Sequence, residues 1–421
     1  MNELKLKHLK NEKCLKIAIC SWQTKGRDYD LTFPLMYLCK KLNHNIRYFH
    51  PTFRFDILSW SPDIIFITNS NGAIENVKFI RLARKYNIPT YSHISEGLFR
   101  EKDIDEFVCG WNKQNEMLEN LTLFWSKEQL DMTLKYYPEK EINSVVSGAL
   151  SIDKYFLHNV TANKNYEIGI AGFDFNSIIL KTQCEIEKQK YIKSANAQYL
   201  LIKQILKLFP EINIIFRPHP GDSNAHPLEI GDIQSDRLTI CNHESLLETI
   251  NSCKIWISFN STTSIDARLM GVHSILYNPD DTISFIENQK IIPRYSNAKD
   301  IINEITDCLQ NKNDKTNKAS DLKKLFGFLD GKNFIRAYNV IINHYESEDD
   351  NNFKITDKFL MKVLNKIQRI RINAKRLYLK FFFPDKLLKY NLHLNNFDLD
   401  DLKCGDEIYI SKMNEFIEKA Q

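Results

Sequence analysis

The feature that most constrains the fold of this chain is a repeated alternation of short apolar runs, polar loops and helical segments. Three of the apolar runs are KIAICSW (16–22), DIIFITNSNG (63–72) and YEIGIAGFDFN (166–176), and each ends beside polar residues. Continuous apolar runs of this kind are typical of parallel strands that are buried on both faces. The alternation therefore predicts open, doubly wound α/β sheets.

The alternation occurs twice along the 421 residues and then stops. We therefore expect a first Rossmann-like domain at 1–155 and a second at 165–345. The remaining segment, 346–421, begins with the acidic linker ESEDDNN and continues as a basic stretch with helical spacing. The predicted fold class is α/β, with two Rossmann-like domains facing a cleft and a C-terminal helical tail.

The composition indicates an ordinary globular protein and excludes several other classes. Lysine and arginine total 57 against 53 acidic residues, and a net charge of +4 gives no reason to expect a nucleic-acid partner. The nine cysteines are scattered without metal-ligand spacing, so we expect reduced thiols and no metal. There is no apolar signal segment and no run of roughly 20 apolar residues, so we expect a cytoplasmic protein that is soluble or peripheral.

Two strand exits in the second domain carry side chains suited to phosphate. RPHPGD places Arg217 and His219 after an apolar strand, and both side chains can donate hydrogen bonds to phosphate oxygens. FNSTTSIDARLMG places Asn260, Ser261, Thr262 and Thr263 between a strand and a helix, where hydroxyls and helix amides can bind an anion. Asp266 follows on the first helical turn and can reach ribose hydroxyls. The alternatives are a structural turn for the first loop and simple N-capping for the second.

Three further loops carry candidate residues, each with a solvated loop or turn as its alternative. In HISEGLFR, Glu96 ends a strand of the first domain and can act as a general base or acid. In AGFDFNS, Asp174 can be a nucleophile, a base or a turn former. In TKGRDYD, Gly26 and Arg27 can bind an acceptor or a phosphate. The sequence has no GxGxxG, P-loop, GxSxG or HExxH pattern, which removes the main support for dehydrogenase, kinase, serine-hydrolase and zincin functions.

These segments, in this order, resemble the bacterial surface carbohydrate biosynthesis family of GT-B-like glycosyltransferases. The resemblance covers roughly 20–345. It is carried by an ordered set rather than by any single motif. The set comprises GRDYDLTFPLMYL, ISEGL, GWNKQNEMLENL, FWSKEQ, VSGALSID, RPHPGD and NSTTSIDARLMGVHSILYNP.

The same set is similar to transferases that use CMP-activated 2-keto sugar acids, such as the β-Kdo transferases of capsule and lipopolysaccharide. The resemblance places Glu96 at the acidic-Glu-Gly position of these enzymes, His219 in their His-Pro pair, and Ser261 and Thr262 at the hydroxyl pair that grips the CMP phosphate. Ser95 stands where an acid is usual, and Asp266 stands where many GT-B proteins carry a glutamate for the ribose. Both departures bear on the donor more than on the fold.

The resemblance implies a glycosyltransferase that moves Kdo or a related sugar acid from CMP to a glycan or lipid-linked glycan acceptor. A retaining route needs two displacements. Asp174 is then the candidate nucleophile and Glu96 the candidate acid/base, whereas in an inverting enzyme Glu96 alone could be the base. We expect no metal or other cofactor, because cationic side chains can neutralise the leaving phosphate.

Other functions fit the same fold. One alternative is a GT-B transferase that uses a UDP-sugar, a GDP-sugar or CDP-glycerol, and a UDP-sugar 2-epimerase is another. A third alternative, from a different class, is a non-catalytic scaffold in a polysaccharide assembly complex. A nucleotide-binding test separates the scaffold from the enzymes.

The basic stretch at 355–390 allows two interpretations. Its lysines and arginines lie among leucine, isoleucine and phenylalanine, and it contains few acids, which is typical of a helix that binds the inner-membrane surface. The other interpretation is that its apolar side packs on the first domain and its charges are merely solvated.

Overall fold

The computed structural model contains two compact units, Met1–Asn159 with Leu322–Gln421, and Val160–Asp321. The structure describes residues 4–7, 13–22, 27–95, 101–110, 113, 118–157, 164–173, 175, 179, 182–219, 233–241, 245–259, 261–279, 292–310, 319–348, 358–382 and 407–421. Each unit is built on one six-stranded sheet. Every strand pairing in both sheets is parallel.

The first sheet has the strand order β2-β1-β3-β4-β5-β6. Its strands are β1 (Lys16–Cys20), β2 (Asn45–Phe49), β3 (Ile64–Thr68), β4 (Thr90–His93), β5 (Leu121–Phe124) and β6 (Ser144–Val146). The strand order reverses between β1 and β3, and every residue of β3 is buried. This continuous burial is the physical basis of the apolar runs in the sequence.

The second sheet has the order β12-β11-β10-β7-β8-β9. Its strands are β7 (Tyr166–Ala171), β8 (Ile214–Arg217), β9 (Leu238–Ile240), β10 (Cys253–Ser258), β11 (His273–Tyr277) and β12 (Arg294–Tyr295). Numbered from β7, this is the 3-2-1-4-5-6 arrangement of nucleotide-binding sheets, and the order reverses between β7 and β10. The predicted fold class, α/β with two Rossmann-like units and C-terminal helices, is confirmed.

Helices connect the strands of both sheets, and a further group follows the second sheet. Those connecting the first sheet are α1 (Arg27–Lys41), α2 (Arg54–Trp60), α3 (Ile74–Lys85), α4 (Ile104–Cys109), α5 (Lys127–Tyr136) and α6 (Asp153–Leu157). The second unit adds α7 (Glu185–Leu208), α8 (Leu246–Asn251), α9 (Thr263–Leu269) and α10 (Ala298–Leu309). The chain then forms α11 (Ala319–Phe326), α12 (Asn333–Ser347), α13 (Lys358–Phe382) and α14 (Glu407–Ala420).

The chain returns to the first unit at Leu322, well before the predicted domain end at 345. The cause is α12, whose buried residues, including Phe334 and Ile342, belong to the core of the first sheet. Asp153 fixes its start, because its carboxylate accepts the backbone N–H groups of Asn333 at 3.2 Å and of Phe334 at 2.8 Å. These are donors that the first turn of a helix cannot satisfy internally.

The predicted loop TKGRDYD is only partly a loop. Gly26 lies outside the described residues, and Arg27 is the first residue of α1 rather than a loop residue, so the binding of an acceptor or a phosphate by these two residues stays a prediction. Asp28 and Asp30 lie in the first turn, where carboxylates complement the partial positive charge of a helix N-terminus. Asp28 is also buried and accepts a hydrogen bond from Ser21 Oγ at 3.4 Å, which holds this turn against β1.

Both described tail helices pack on the first unit. Met413 and Ile417 of α14 are buried in the core of the first sheet. On α13, Met361 joins the cluster on the other face of that sheet, and Ile372 packs against Phe53. None of the described helices is long and apolar enough to cross a membrane.

Candidate functional site

The carboxyl ends of three neighbouring strands form the candidate site in the second unit. In the sheet, β7 lies between β8 and β10. Their exits carry Gly172, the pair Arg217 and His219, and Ser261, respectively. Two strand spacings of about 4.8 Å separate the outer exits, which is a suitable span for a phosphate group and its substituents. This edge lies at the point where strand order reverses, the usual ligand position in an open α/β sheet.

Gly172 lets the exits of β7 and β8 approach closely. Its backbone N–H donates to the Arg217 carbonyl oxygen at 2.7 Å. A Cβ atom at this position would lie 3.1 Å from the His219 backbone nitrogen and 3.2 Å from the Arg217 carbonyl oxygen. The glycine of AGFDFNS therefore sets the position of the RPHP turn.

The hydroxyl group of Ser261 is held at the exit of β10 by Thr263. Thr263 donates to Ser261 Oγ from its backbone nitrogen at 3.3 Å and from its hydroxyl at 3.2 Å. The Thr263 hydroxyl in turn accepts from Trp256 Nε1 at 3.2 Å. Because Ser261 Oγ accepts both of these bonds, its own proton can be donated to a ligand. Thr263 is a positioning residue in this arrangement, whereas Thr262 is exposed.

Arg217 is anchored beside the site. Its Nη1 donates to Thr249 Oγ1 at 2.9 Å. Thr249 is fully buried on α8, and α8 begins with a reciprocal capping box formed by Ser245 and Glu248. A guanidinium that is held in place loses less rotamer entropy when it binds an anion, since part of that entropy is already lost on folding.

The structure brings some of the predicted residues together and leaves others out. Arg217 and His219 lie at the end of β8 and Ser261 at the end of β10, on either side of β7, and Asp266 lies in the first turn of α9. Asn260 and Asp174 lie outside the described residues, although each directly follows a described residue at the same sheet edge. Their roles therefore stay predictions.

In the first unit, the exit of β4 leads to the predicted carboxylate. Glu96 itself lies outside the described residues, and Ser95 is the last described residue before it. Ser95 is bound to Asn69, because the Ser95 backbone N–H donates to Asn69 Oδ1 at 2.9 Å and Asn69 Nδ2 donates to Ser95 Oγ. Asn69 adopts a φ of 49°, a left-handed conformation that asparagine tolerates better than most residues. The chain is thus held at the carboxyl edge immediately before Glu96.

A buried histidine supports the same exit. His93 Nε2 donates to the Gly148 carbonyl oxygen at 3.1 Å. Burial lowers the pKa of His93 to about 4, so its imidazole is neutral at pH 7. We assign His93 a structural role that ties β4 to the chain after β6.

One group of potential metal ligands occurs among the described residues, away from this edge. His273 Nε2 lies 3.0 Å from Glu304 Oε1, and Cys308 Sγ lies 3.8 Å from the same oxygen. His273 begins β11, so the group lies at the amino end of that strand. Glu304 also accepts from the Tyr295 hydroxyl at 2.9 Å. The group therefore joins α10 to the sheet, and this structural role is enough to account for it.

Several supporting residues were missed by the sequence analysis. Thr249 bonds to Arg217 and Asn69 to Ser95, across 32 and 26 residues, and Trp256 bonds to Thr263 seven residues further along the chain. The only local signal concerned Gly172, because a glycine directly after an apolar strand often marks a close backbone approach.

Comparisons with known proteins show the fold. No protein-family model and no curated protein matches the sequence. Among solved structures, a Listeria monocytogenes protein provisionally assigned as a UDP-N-acetylglucosamine 2-epimerase is similar with a TM-score of 0.55 and 13% identity over 80% of this chain and 98% of that one. The UDP co-structure of MnaA from S. aureus has a TM-score of 0.52 and 13% identity over 79% and 96%.

A third similar structure is the wall teichoic acid polymerase TagF, with a TM-score of 0.51 and 10% identity over 80% of this chain and 91% of that one. At these identities the similarity establishes the architecture and no more. The chain has the GT-B-type fold that these sugar-nucleotide and polymer enzymes share.

Proposed function

We propose that this protein is a GT-B glycosyltransferase that binds a nucleotide-activated sugar at the carboxyl edge of the second sheet. The observation that carries the proposal is the placement of Arg217 and His219 at the end of β8 and of Ser261 at the end of β10, on either side of the β7 exit, where the strand order reverses. Arg217 and His219 would stabilise the charge that develops on the leaving phosphate, and Ser261 would donate to one of its oxygens. Asp266 would bind the ribose.

For the donor, we propose a CMP-activated sugar acid of the Kdo type, used to build a bacterial surface polysaccharide. This finer assignment is supported by the ordered motifs around Glu96, His219 and Ser261. In a retaining reaction the carboxylate of Asp174 would attack the anomeric carbon and expel CMP. Glu96 would then remove the proton of the acceptor hydroxyl as that hydroxyl displaces Asp174.

A second candidate is an enzyme that acts on a UDP-sugar, including a UDP-sugar 2-epimerase. It is favoured by the similarity to two structures described as UDP-N-acetylglucosamine 2-epimerases and to a third, MnaA, that was solved with UDP. The two candidates differ in their products. A transferase releases nucleotide and adds a sugar mass to an acceptor, whereas an epimerase makes an isomer of unchanged mass without any acceptor.

The experiment is a two-stage assay on the full chain. Calorimetric titration with CMP, CDP, UDP and GDP first identifies the base. Reaction with a panel of nucleotide sugars that includes CMP-Kdo and UDP-N-acetylglucosamine is then followed by nucleotide release, mass spectrometry and chromatography of isomers. Tightest binding of CMP together with acceptor-dependent CMP release supports the Kdo-type transferase. Isomerisation of the UDP-sugar supports the epimerase, and binding of none of the four nucleotides supports the scaffold and contradicts both enzymes.

A further inference from the structure

Helix α13 carries two apolar faces, and only one of them packs on the part of the chain that the structure describes. At about 100° per residue, its buried residues Met361, Ile372 and Leu379 cluster on one side of the helix. This side contacts α2 in the first unit through Asn365 Nδ2, which donates to Asp56 Oδ1 at 2.7 Å. The helix is therefore anchored on the first unit, as the packing interpretation of the tail required.

The second apolar face lies on the opposite side of α13. Val363, Ile367, Ile370, Leu377 and Phe381 fall within about 80° of one another, roughly 165° from the centre of the buried face. Their exposed fractions include 60% for Ile370, 61% for Leu377 and 71% for Phe381. At about 1.5 Å per residue, this stripe extends for about 27 Å along the helix. An exposed apolar stripe of this length marks an interaction surface.

The charges of α13 indicate what covers the stripe. The helix contains eight lysines and arginines and no aspartate or glutamate. On the same angular scale, Lys362, Lys366 and Lys380 lie along one side of the stripe, and Arg371 and Lys375 lie along the other. Cations that flank an apolar stripe match the layout of a bilayer surface, where anionic headgroups surround the acyl region.

We propose that this stripe, defined as Val363, Ile367, Ile370, Leu377 and Phe381, docks the protein on an anionic phospholipid bilayer. The helix lies in the plane of the interface, with its stripe at the headgroup–acyl boundary and its flanking cations among the headgroups. The opposite face stays packed on the first unit. This inference does not depend on the proposed enzymatic function.

The test is vesicle co-sedimentation of the full chain, with phosphatidylcholine vesicles compared with vesicles that contain phosphatidylglycerol. We expect binding to the anionic vesicles only, weakened when salt is raised from about 0.1 M to 1 M, because the Debye length falls from about 10 Å to 3 Å. The variant Ile370→Ser/Leu377→Ser/Phe381→Ser should lose at least tenfold in partition coefficient. Because these residues are exposed, its thermal unfolding should match that of the unaltered protein.

A matched control replaces three exposed apolar residues elsewhere, Ile142→Ser/Ile186→Ser/Leu208→Ser, and should bind vesicles like the unaltered protein. A second variant, Arg371→Gln/Lys375→Gln, should lose about tenfold or more, since each cation near an anionic surface contributes roughly fivefold. Equal loss in the control, or equal binding to neutral and anionic vesicles, would overturn the proposal. So would a concentration-dependent dimer that the stripe variant abolishes, because a second copy would then cover the stripe.

Discussion

The carboxyl edges of the two sheets satisfy their polar groups in different ways. In the first sheet, edge residues bond to one another over long sequence distances. Asn69 and Ser95, at the exits of β3 and β4, bond to each other across 26 residues, and Ser70, just after β3, donates to Glu119 at 2.9 Å. In the second sheet, Ser261 is held by its near neighbour Thr263 and keeps a proton to donate. The first edge resembles a rigid platform for the segment that follows Ser95, whereas the second presents groups that a ligand can contact.

This difference leads us to expect that polar substitutions at the first edge mainly change stability. Substitutions at the second edge should mainly change binding and turnover. Glu96 is the proposed exception at the first edge: we expect its substitution to change turnover, because Glu96 follows the hydrogen-bonded edge residues in the sequence and is not one of them.

The largest effect is expected for Glu96→Gln. If Glu96 is the general acid or base, turnover should fall by roughly 10²–10⁴-fold. Nucleotide affinity should stay within about twofold, because the proposed phosphate contacts belong to the other unit. Glu101→Gln is the matched control, since Glu101 is a nearby carboxylate that pairs with Lys135 at 2.6 Å on an exposed surface. Equal loss of affinity and turnover in Glu96→Gln would make Glu96 a donor ligand instead.

The second effect concerns the anchored arginine and its neighbour. Arg217→Ala and His219→Ala should each raise the barrier by about 2–4 kcal/mol, because each removes a donor aimed at developing phosphate charge. Thr249→Val leaves the guanidinium in place and removes the hydroxyl that accepts from Arg217. That hydroxyl also donates to the Ser245 carbonyl oxygen at 2.9 Å, so thermal unfolding of the variant is measured beside its kinetics. We expect it to cost less than Arg217→Ala in steady-state kcat/KM. Near-normal turnover in both alanine variants would refute the site.

The sheets could be predicted well from the sequence, because a strand that is buried on both faces appears as a continuous apolar run. The apolar runs at 16–22, 63–72 and 166–176 form β1, β3 and β7, and Arg217 and Ser261 lie at carboxyl ends of strands, as expected from the sequence. The loop before α1 was misjudged at Arg27, because acidic first-turn residues resemble turn residues in composition.

The return of the chain to the first unit could not be predicted in this way. It depends on Asp153, which caps a helix that begins 180 residues later. The partner of Arg217 was equally inaccessible, because a hydrogen bond between residues 32 positions apart leaves no periodic signal in the sequence. The sequence also did not show that α13 has two apolar faces. Its apolar residues could be separated into a buried face and an exposed face only from the packing of the helix on the first unit.

The third prediction tests the platform through its buried histidine. The pKa of His93 is about 4 in the folded protein, against about 6.5 for an exposed imidazole in the unfolded chain. Above pH 6.5 neither state is protonated, and this residue adds no pH dependence. Between pH 6.5 and 4 the unfolded state binds the proton more tightly, so the free energy of unfolding should fall by about 3 kcal/mol.

Urea unfolding at pH 7, 5.5 and 4.5 measures this slope. His93→Gln keeps an N–H donor for the Gly148 carbonyl and does not titrate, so the part of the slope due to His93 should disappear. If the free energy of unfolding of this variant depends on pH as it does in the unaltered protein, other groups cause the acid sensitivity and the assignment to His93 is wrong.

The smallest effect gives the most direct comparison of the two edges, because one hydroxyl is deleted at each. Ser261→Ala should weaken nucleotide binding about five- to tenfold, as expected for a hydrogen bond worth roughly 1–1.5 kcal/mol, and should change stability little. Ser70→Ala leaves Glu119 with one donor fewer inside the protein, so it should lower the free energy of unfolding by about 1–3 kcal/mol and leave nucleotide affinity unchanged. Calorimetric titration and urea unfolding of both variants measure the four quantities. If Ser70→Ala weakens nucleotide binding as much as Ser261→Ala does, the first edge also contacts the ligand and the platform interpretation is wrong.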